Sequence, residues 1–484
     1  MSTFRPSSKP LVPTFVHPLS GAWAAPGGPW SDETLDDALT GTTPFEDEIS
    51  EIAGGLAALG VGTGSTVSWQ LANGWPAISL FRACWRLGAV AAPIHHLAGA
   101  VDVDAMVERL TPTVFIRRET ELPSGPPILT PPSPVDAASV AVALGTSGST
   151  GTPKVALHSH RALLHKARVM TEVHGLGPDD AILLPAPMAH ISGLLNGVLL
   201  AVSGLRVVPM AKWDPTRALE AIERDAITFM IGPPAFFVSL VNAPGFSDEA
   251  VRSLRLISCG GSGVTPAFIE STSEALGCRV KRTYGSTEAP TVTTSSARDS
   301  VERAATTDGR PVGLVELRTV DLTGVDTSQG QPGELLVRGP ELFVGYDDPA
   351  ATAAAFVDEG WFRTGDLATL DPDGWVTIVG RIKDVIIRGG ENIATSEIER
   401  VLEAHPDVRE AVVVGEPDTR LGERVCAFVV VEQPFALDDC RAWFDQHDIT
   451  RFKWPERVEV IDELPLLGSG KPDKAALRAR LAPA

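Results

Sequence analysis

Short apolar runs alternate with helix-length segments along the first 260 residues, and this alternation constrains the fold more than any other feature of the chain. Apolar residues in 45–60 recur at spacings of three and four, which places them on one helical face. Strand-like runs lie at 66–71, 89–94, 114–116, 140–144, 155–157, 181–184, 206–208, 227–231 and 255–257. Strands that alternate with helices predict parallel sheets covered by helices, and therefore an α/β fold.

The pattern of predicted strands and helices changes twice from about residue 315 onward. Strand-rich segments at 315–320 and 333–337, punctuated by Gly and Pro, predict a β-subdomain. Helical and strand patterns between 395 and 461 predict a compact α+β domain of ordinary size. We expect a large N-terminal domain over 1–380, with mixed or parallel sheets and helices plus the β-subdomain, and a small mobile C-terminal α+β domain over 384–484.

Composition excludes several classes of function. A chain of 484 residues with 44% hydrophobic content can bury a large core. Its formal net charge of -20 argues against nucleic-acid partners and anionic membrane surfaces. The five cysteines are scattered, and no apolar run is long enough to span a membrane. We expect a cytoplasmic protein without a membrane span.

The segment 145–154 reads Gly-Thr-Ser-Gly-Ser-Thr-Gly-Thr-Pro-Lys and is a candidate phosphate loop. Its glycines permit close backbone approach to a ligand, while its hydroxyls and Lys154 can donate to anionic oxygens. The flanking runs predict strand-loop-strand, unlike the loop-to-helix P-loop of nucleotide triphosphatases. Composition alone favours an ordinary Ser/Gly/Thr-rich surface loop or linker over a phosphate loop.

Three further motifs carry chemically suitable groups. The first, Tyr-Gly-Ser-Thr-Glu at 284–288, offers an aromatic ring for a base and a carboxylate for Mg²⁺. The second pairs Gly-Trp-Phe-Arg-Thr-Gly-Asp-Leu at 360–367 with Gly-Arg-Ile-Lys-Asp at 380–384, where an aspartate can accept ribose hydroxyls. The third, Leu-Gly-Ser-Gly-Lys at 467–471, places a lysine on a glycine loop.

Together these motifs resemble the adenylate-forming superfamily, which includes acyl-CoA synthetases, peptide-synthetase adenylation domains and luciferases. The matching segments are 146–154, 284–288, 333–340, 364–366, 380–384 and 469–471, in the family's order. The resemblance implies an AMP-forming acid-thiol ligase. A carboxylic acid attacks ATP to give acyl-AMP and pyrophosphate, and CoA then takes the acyl group to give acyl-CoA and AMP.

The resemblance also assigns roles residue by residue, with ATP, Mg²⁺ and CoA as cofactors. It implies catalytic roles for Lys471, Thr287, Glu288 and His190, with Glu288 also as the metal ligand. It implies ATP or AMP contacts for Thr146, Ser147, Gly148, Ser149, Thr150, Gly151, Lys154, Gly260, Gly261, Tyr284, Asp366 and Arg381. It implies a hinge at Lys383 and CoA contacts for Gly389 and Gly390.

Two other activities remain open, a stand-alone enzyme that loads an acyl or aryl group onto a carrier protein and a luciferase-like monooxygenase acting on an acyl-adenylate. The segments 188–193 and 232–238 contain no acidic residue, so we expect a substrate acid without an α-amino group, whether aryl, alicyclic or aliphatic. The assembly state is left open, a homodimer being one option.

Several positions depart from the family pattern. Val155 replaces a glycine, Ala394, Thr395 and Ser396 replace an aromatic-proline segment, and His95-His96 stand where relatives usually have Asn-Pro. None of these changes removes an implied catalytic group.

Overall fold

The computed structural model describes residues 11–12, 15–42, 45–146, 154–261, 264–321, 323–389, 391–466 and 472–481. The chain divides into two compact units, the first comprising Met1–Leu317 and Val337–Arg363, the second Arg318–Leu336 and Thr364–Ala484. The first unit is much the larger, in line with the expected large and small parts. The hinge at Lys383 and the boundary at 380–384 stay predictions.

Helices are distributed over both units. In chain order they are α1 (Ser20–Ala24), α2 (Leu35–Leu39), α3 (Glu46–Ala58), α4 (Trp75–Arg86), α5 (Ala100–Leu110), α6 (His160–His174), α7 (Ile191–Gly197), α8 (Pro215–Asp225), α9 (Pro234–Val241), α10 (Asp248–Val251), α11 (Pro266–Leu276), α12 (Val301–Thr306), α13 (Pro349–Ala355), α14 (Thr395–Glu403), α15 (Leu437–Gln446) and α16 (Lys474–Leu481).

Strands form four sheets. In chain order they are β1 (Thr66–Trp69), β2 (Val90–Pro93), β3 (Val114–Ile116), β4 (Val140–Thr146), β5 (Lys154–Ser159), β6 (Ala181–Leu184), β7 (Arg206–Pro209), β8 (Phe229–Gly232), β9 (Leu256–Cys259), β10 (Arg279–Tyr284), β11 (Thr293–Thr294), β12 (Arg310–Pro311), β13 (Glu316–Val320), β14 (Gly333–Arg338), β15 (Gly345–Tyr346), β16 (Phe356–Val357), β17 (Trp361–Leu370), β18 (Val376–Arg381), β19 (Val385–Arg388), β20 (Glu391–Ala394), β21 (Val408–Asp418), β22 (Gly422–Val431) and β23 (Arg457–Val460).

Two mixed sheets build the first unit. The six-stranded sheet has the order β15-β5-β4-β2-β1-β3, with β1, β2, β3 and β4 parallel and β5 and β15 antiparallel. The seven-stranded sheet has the order β12-β11-β10-β9-β8-β6-β7, and only its β11 and β12 pairings are antiparallel. The predicted α/β class with mixed sheets is confirmed.

Three helices of this unit begin with the same local device. Asp214, Thr265 and Asp348 each precede a proline, and each side chain accepts a backbone N–H from the first helical turn. The side chain satisfies a donor that would otherwise lack a partner, and the proline has no N–H to lose at that position. These caps fix where α8, α11 and α13 start.

A buried ion network ties α4 to the helices before it. Arg82 and Arg86, one turn apart on α4, both pair with Asp36 of α2 and with Glu46 of α3. Both guanidinium groups are almost fully buried, so each charge depends on these carboxylates for its solvation. The network therefore fixes the packing of three helices beside the six-stranded sheet.

The remaining sheets contain the later strands. The third sheet has the order β13-β14-β17-β16 with β18 on β17, and the unit boundaries fall within β13, β14 and β17. In the second unit, the fourth sheet has the order β20-β19-β22-β21, with β23 parallel to β22. Its apolar face packs with α14 and α15 around Ile386, Ile398, Leu402, Val413 and Phe444. Among the described residues, no helix is both long and apolar enough to cross a membrane.

Candidate functional site

The antiparallel strands β4 and β5 hold the two ends of the candidate phosphate loop. Thr146, the last residue of β4, lies opposite Lys154, the first of β5, and its hydroxyl donates to the Lys154 carbonyl at 3.4 Å. The predicted strand-loop-strand arrangement is confirmed for these flanks. Between them, Ser147, Gly148, Ser149, Thr150 and Gly151 lie outside the described residues.

Tyr346 connects this loop end to the 284–288 motif. Its hydroxyl donates to Glu288 Oε1 at 2.8 Å, and Lys154 Nζ lies 4.8 Å from the centroid of its ring. Burial raises the pKa of Tyr346 far above its usual value, and the Glu288 carboxylate raises it further, so the phenol stays a donor. A cation and a carboxylate from distant motifs are thus brought to one tyrosine.

Asp347, the residue after β15, holds the backbone after Lys154. The Val155 N–H donates to Asp347 Oδ1 at 3.2 Å, and the Asp347 N–H donates to the Val155 carbonyl at 3.0 Å. Arg109 of α5 pairs with that carboxylate, with 2.9 Å between Nη2 and Oδ1. The Val155 side chain is fully buried in the apolar core. A valine in place of the family glycine therefore packs here without disturbing the strand pairing.

The 284–288 motif forms a tight turn at the end of β10. The Ser286 N–H donates to the Ala289 carbonyl at 2.9 Å, and the Ala289 N–H donates back to Ser286 Oγ at 3.1 Å. A Cβ on Gly285 would lie 2.4 Å from the Thr291 nitrogen, so only glycine fits without displacing the backbone. These contacts fix the backbone that carries Thr287 and Glu288.

Gly260 lies against the strand that leads into this turn. A Cβ on Gly260 would lie 2.4 Å from the carbonyl oxygen of Thr283, the residue before Tyr284. Gly261 follows with a positive φ of 84°. The structure therefore brings the 260–261 segment and Tyr284, which are distant in sequence, to neighbouring strand ends.

Buried polar groups support the turn from the interior. His158 Nε2 donates to the Thr287 carbonyl at 2.8 Å, and burial lowers the pKa of His158 to about 4. Lys166 Nζ donates to the Thr291 carbonyl and to Glu341 Oε1, both at 2.9 Å. Burial also lowers the pKa of Lys166, against the attraction of Glu341. Both ends of the turn are therefore anchored to side chains of β5 and α6.

His190 lies next to a second histidine pair. It precedes α7, and its ring centroid is 5.3 Å from that of His95, which stacks on His96 at 4.8 Å. Asn73 fixes the preceding segment, donating to the Ala186 carbonyl at 2.7 Å and accepting from the Met188 N–H at 3.0 Å. Within the described ranges, no group of three or more His, Cys, Asp or Glu is arranged to hold a metal ion.

In the second unit, Asp366 and Arg381 lie opposite each other on β17 and β18. The Arg381 Nε lies 2.9 Å from Asp366 Oδ1, with the carboxylate buried and the guanidinium half-exposed. The Asp366 N–H donates to Thr364 Oγ1, which in turn donates to the Leu335 carbonyl. The two residues predicted to contact ribose are therefore adjacent on one sheet.

Two other predicted residues of this unit, Lys383 and Gly389, lie on turns. Lys383 is exposed in a short 3-10 helix, Ile382–Asp384, and Gly389 ends the β19 side of a hairpin, its N–H donating to the Leu421 carbonyl at 2.7 Å. Gly390 and Lys471 lie outside the described residues. Next to Lys471, Pro472 forms an antiparallel bridge with Leu466.

Tyr346, Asp347 and Arg109 are the contributors that the motif analysis missed. One signal was available, because the chain has only two tyrosines and the other, Tyr284, was already a candidate. No local pattern marks Arg109, since its partner Asp347 lies 238 residues away.

The sequence matches two families that describe adjoining parts of such enzymes. Residues 43–347 match the AMP-binding enzyme family, and residues 397–471 match the AMP-binding enzyme C-terminal domain. These ranges include the motifs at 145–154, 284–288 and 467–471, and the motifs at 360–367 and 380–384 lie between them.

Known proteins give the same relationship. The chain is 36% identical over 344 residues to the medium-chain fatty-acid–CoA ligase of Escherichia coli, covering 70% of this chain and 61% of that protein. It is 32% identical over 454 residues to feruloyl-CoA synthase of an Amycolatopsis species, covering 89% and 92%.

A solved structure extends the comparison to the fold. The crystal structure of ATP-bound MatB from Rhodopseudomonas palustris matches with a TM-score of 0.83 at 28% identity, covering 90% of this chain and 92% of that one. Sequence and fold agree across both halves of the chain, which therefore belongs to the AMP-binding enzyme family.

Proposed function

We propose that this chain is an AMP-forming acid-thiol ligase that converts a carboxylic acid to acyl-AMP and then to acyl-CoA. The observation that carries the proposal is the contact of one tyrosine, Tyr346, with both Lys154 and Glu288. Reaction at a polyphosphate requires a cation and a metal-binding carboxylate at one place. Membership of the AMP-binding family supports the same chemistry.

In the first step, a carboxylate oxygen of the acid bonds to the α-phosphorus of ATP, and the bond to pyrophosphate breaks. Two anions must meet, so positioning and neutralisation of charge dominate the barrier. We assign Lys154, with the hydroxyls and amides of 146–151, to the departing phosphates, and Thr287 and Lys471 to the α-phosphate. His190 would lie between the acid and the phosphates.

Glu288 is suited to Mg²⁺. Mg²⁺ in nucleotide sites is commonly bound by one or two carboxylates together with substrate phosphates and water. Glu288 Oε1 is oriented by the Tyr346 hydroxyl, and a carboxylate offers a second oxygen to a cation. When bound, the ion would neutralise phosphate charge. Glu288 would hold it and Tyr346 would keep that carboxylate in position.

We assign the nucleoside to residues of both sequence halves. Tyr284, with Gly260 and Gly261, would contact adenine, since a flat ring beside glycine backbone suits a base. Asp366 and Arg381 would contact the ribose, because a buried, oriented carboxylate can accept both hydroxyls.

In the second step, the CoA sulfur bonds to the acyl carbon, and AMP leaves with the bonding electron pair. We assign Gly389 and Gly390 to the CoA side and Lys383 to the hinge between the two steps. CoA is favoured as acceptor because relatives that cover much of this chain are named as CoA ligases and synthases.

We infer a substrate acid that lacks an α-amino group. The segments 188–193 and 232–238 carry no carboxylate to pair with an ammonium group. The relatives are named for medium-chain fatty acid, ferulate and indoleacetate, which share this property.

A panel assay tests the proposal. Hydroxycinnamic, arylacetic and medium-chain fatty acids are each tested for acid-dependent exchange of pyrophosphate into ATP, and active acids are then tested with CoA, with a phosphopantetheinylated carrier protein, and for oxygen uptake. We expect exchange with at least one acid and thioester formation with CoA. Glu288→Gln should lose exchange unless Mg²⁺ is greatly raised. Exchange without any CoA product would contradict the acid-thiol ligase and favour loading of a carrier protein or oxidation of the acyl-adenylate.

A further inference from the structure

The His95-His96 turn lies beside His190, which we assigned to the proposed reaction, but neither His95 nor His96 belongs to that assignment. Both rings are half-buried and stacked, and His95 lies against His190. The two imidazoles of this turn are groups that can donate hydrogen bonds or take up protons.

The strand register places this turn at the end of the sheet where the phosphate loop begins. Parallel strands β2 and β4 pair Ala91 with Val142, and His95 follows two residues after β2 ends at Pro93, while β4 ends at Thr146. The carboxyl ends of neighbouring parallel strands lie at one edge of a sheet, which is where ligands bind in open α/β sheets. His95 therefore belongs to the same edge as the loop that starts after Thr146.

Hydrogen bonds fix both the backbone of the turn and the tautomer of His95. Gln70 donates to the Ala98 carbonyl at 2.9 Å and to the His96 carbonyl at 3.4 Å, which holds the turn. The Leu97 N–H donates to His95 Nδ1 at 3.1 Å. Nδ1 is therefore the acceptor, and neutral His95 carries its hydrogen on Nε2. In the described part of the chain, no group accepts that hydrogen.

Burial and a neighbouring imidazole disfavour the charged form of His95 in the free protein. Burial lowers the pKa of His95 and of His96, and repulsion from His96 lowers that of His95 further. The titratable groups that contact it are His96 from its own turn and His190 from the segment before α7. A bound anion at Nε2 would stabilise the charged form of His95.

We propose that His95 is a phosphate-binding residue of the ATP site, donating its Nε2 hydrogen to a phosphate oxygen at the sheet edge where β4 ends with Thr146. The inference rests on the proposed function, because it requires ATP in this site. Negative phosphate beside Nε2 raises the proton affinity of the ring, so binding of MgATP is coupled to proton uptake at mildly acidic pH. The proton comes from solvent and binds Nδ1, where it replaces the hydrogen bond from the Leu97 N–H.

Calorimetric titration of the protein with MgATP, without any carboxylic acid, tests the proposal. Titrations at pH 6.5 in two buffers of different ionisation enthalpy give both the dissociation constant and the number of protons taken up. The test variant is His95→Asn, whose side-chain oxygen can still accept the Leu97 N–H as an Asx turn while the Nε2 donor is lost. The matched control is His96→Asn, one residue along the same turn.

We expect His95→Asn to bind MgATP about tenfold more weakly, as for loss of one hydrogen bond to a charged group, and to take up fewer protons than wild type. His96→Asn should retain the uptake. Equal affinity and equal uptake in wild type and His95→Asn would overturn the proposal, as would an effect confined to the KM of the acid. Failure of the wild-type protein to bind MgATP would instead refute the proposed function itself.

Discussion

The Tyr346 hydroxyl donates to Glu288 at 2.8 Å while Lys154 lies 4.8 Å from the ring of the same tyrosine. Tyr346 can make both contacts because β15 pairs with β5 and sets Tyr346 opposite Ala156, two residues beyond Lys154. A short strand late in the unit thus determines the orientation of groups from two earlier motifs. Its contribution can be separated into a hydrogen-bond part and a ring part.

Tyr346→Phe removes the hydroxyl and keeps the ring beside Lys154. We expect the Mg²⁺ concentration for half-maximal activity to rise by roughly 10- to 100-fold, because a hydrogen bond to a carboxylate contributes roughly 1.5–3 kcal/mol. Tyr346→Leu removes the ring as well, and should further raise the KM for ATP. A Mg²⁺ titration at fixed ATP measures the first effect. An unchanged Mg²⁺ requirement in Tyr346→Phe would show that the hydroxyl does not position Glu288.

The buried pair of Lys166 and Glu341 should stabilise the protein only as a pair. Both side chains are almost fully buried, so Lys166→Met leaves an uncompensated carboxylate and should lower the free energy of unfolding by about 3–5 kcal/mol. The double variant Lys166→Met/Glu341→Leu should recover most of that loss. Denaturant unfolding of the single and double variants completes the cycle. Additive losses would contradict the pairing.

Asp366→Asn tests the ribose contact in the second unit. The variant keeps the shape of the side chain but loses the negative charge and one of the two oxygens that can accept ribose hydroxyls. We therefore expect the KM for ATP to rise about tenfold. Wild type should discriminate against 2′-deoxy-ATP or 3′-deoxy-ATP, and the variant should discriminate much less. The KM for each nucleotide provides the measurement. Equal discrimination by both proteins would place the ribose elsewhere.

Acid should destabilise the protein through its buried histidines. Burial lowers the pKa of His160 to about 4, while Asp37 and Asp136 act in the opposite direction. Between its unfolded pKa of about 6.5 and its folded pKa, the unfolded chain binds a proton that the folded chain does not. The free energy of unfolding should therefore fall as pH decreases through this window, by about 1.4 kcal/mol per pH unit from this histidine.

His160→Asn isolates this contribution. The asparagine oxygen can replace Nδ1, which accepts the Leu35 N–H at 3.3 Å, but it cannot be protonated in this range. Denaturant unfolding between pH 6 and pH 5 should show a slope reduced by about 1.4 kcal/mol per pH unit relative to wild type. Identical slopes in the two proteins would contradict the buried neutral state of His160.

Sequence periodicity predicted the strands whose side chains are mostly apolar. The runs at 114–116 and 181–184 coincide with β3 and β6, because buried parallel strands are written as continuous apolar segments. It missed β10, which reads Arg-Val-Lys-Arg-Thr-Tyr. Lys281 is buried there, and its Nζ donates to the Ser295 carbonyl at 2.5 Å, a partner that no local pattern reveals.

The residues of the candidate site also differ in whether local sequence patterns could predict them. Glycine turns, hydroxyls and the two predicted ribose residues could be found in the sequence, since their chemistry is concentrated in short segments. The positions of Tyr346 and of the His95 turn could not be predicted, because they depend on strand neighbours. The β15–β5 pairing places Tyr346, and the pairing of β2 with β4 places the end of β2, two residues before His95.

The most direct test of the proposed two-step reaction separates its halves in Lys471→Ala, with Lys453→Ala as a control that removes a lysine from the same unit. Acid-dependent exchange of pyrophosphate into ATP measures adenylation, and transfer to CoA from a prepared acyl-adenylate measures the second step. We expect Lys471→Ala to lose exchange by roughly 10²–10³-fold and to retain transfer, because only the first transition state needs that charge. Lys453→Ala should retain both. Absence of exchange by the wild-type protein with every acid, or equal exchange by wild type and Lys471→Ala, would contradict the account.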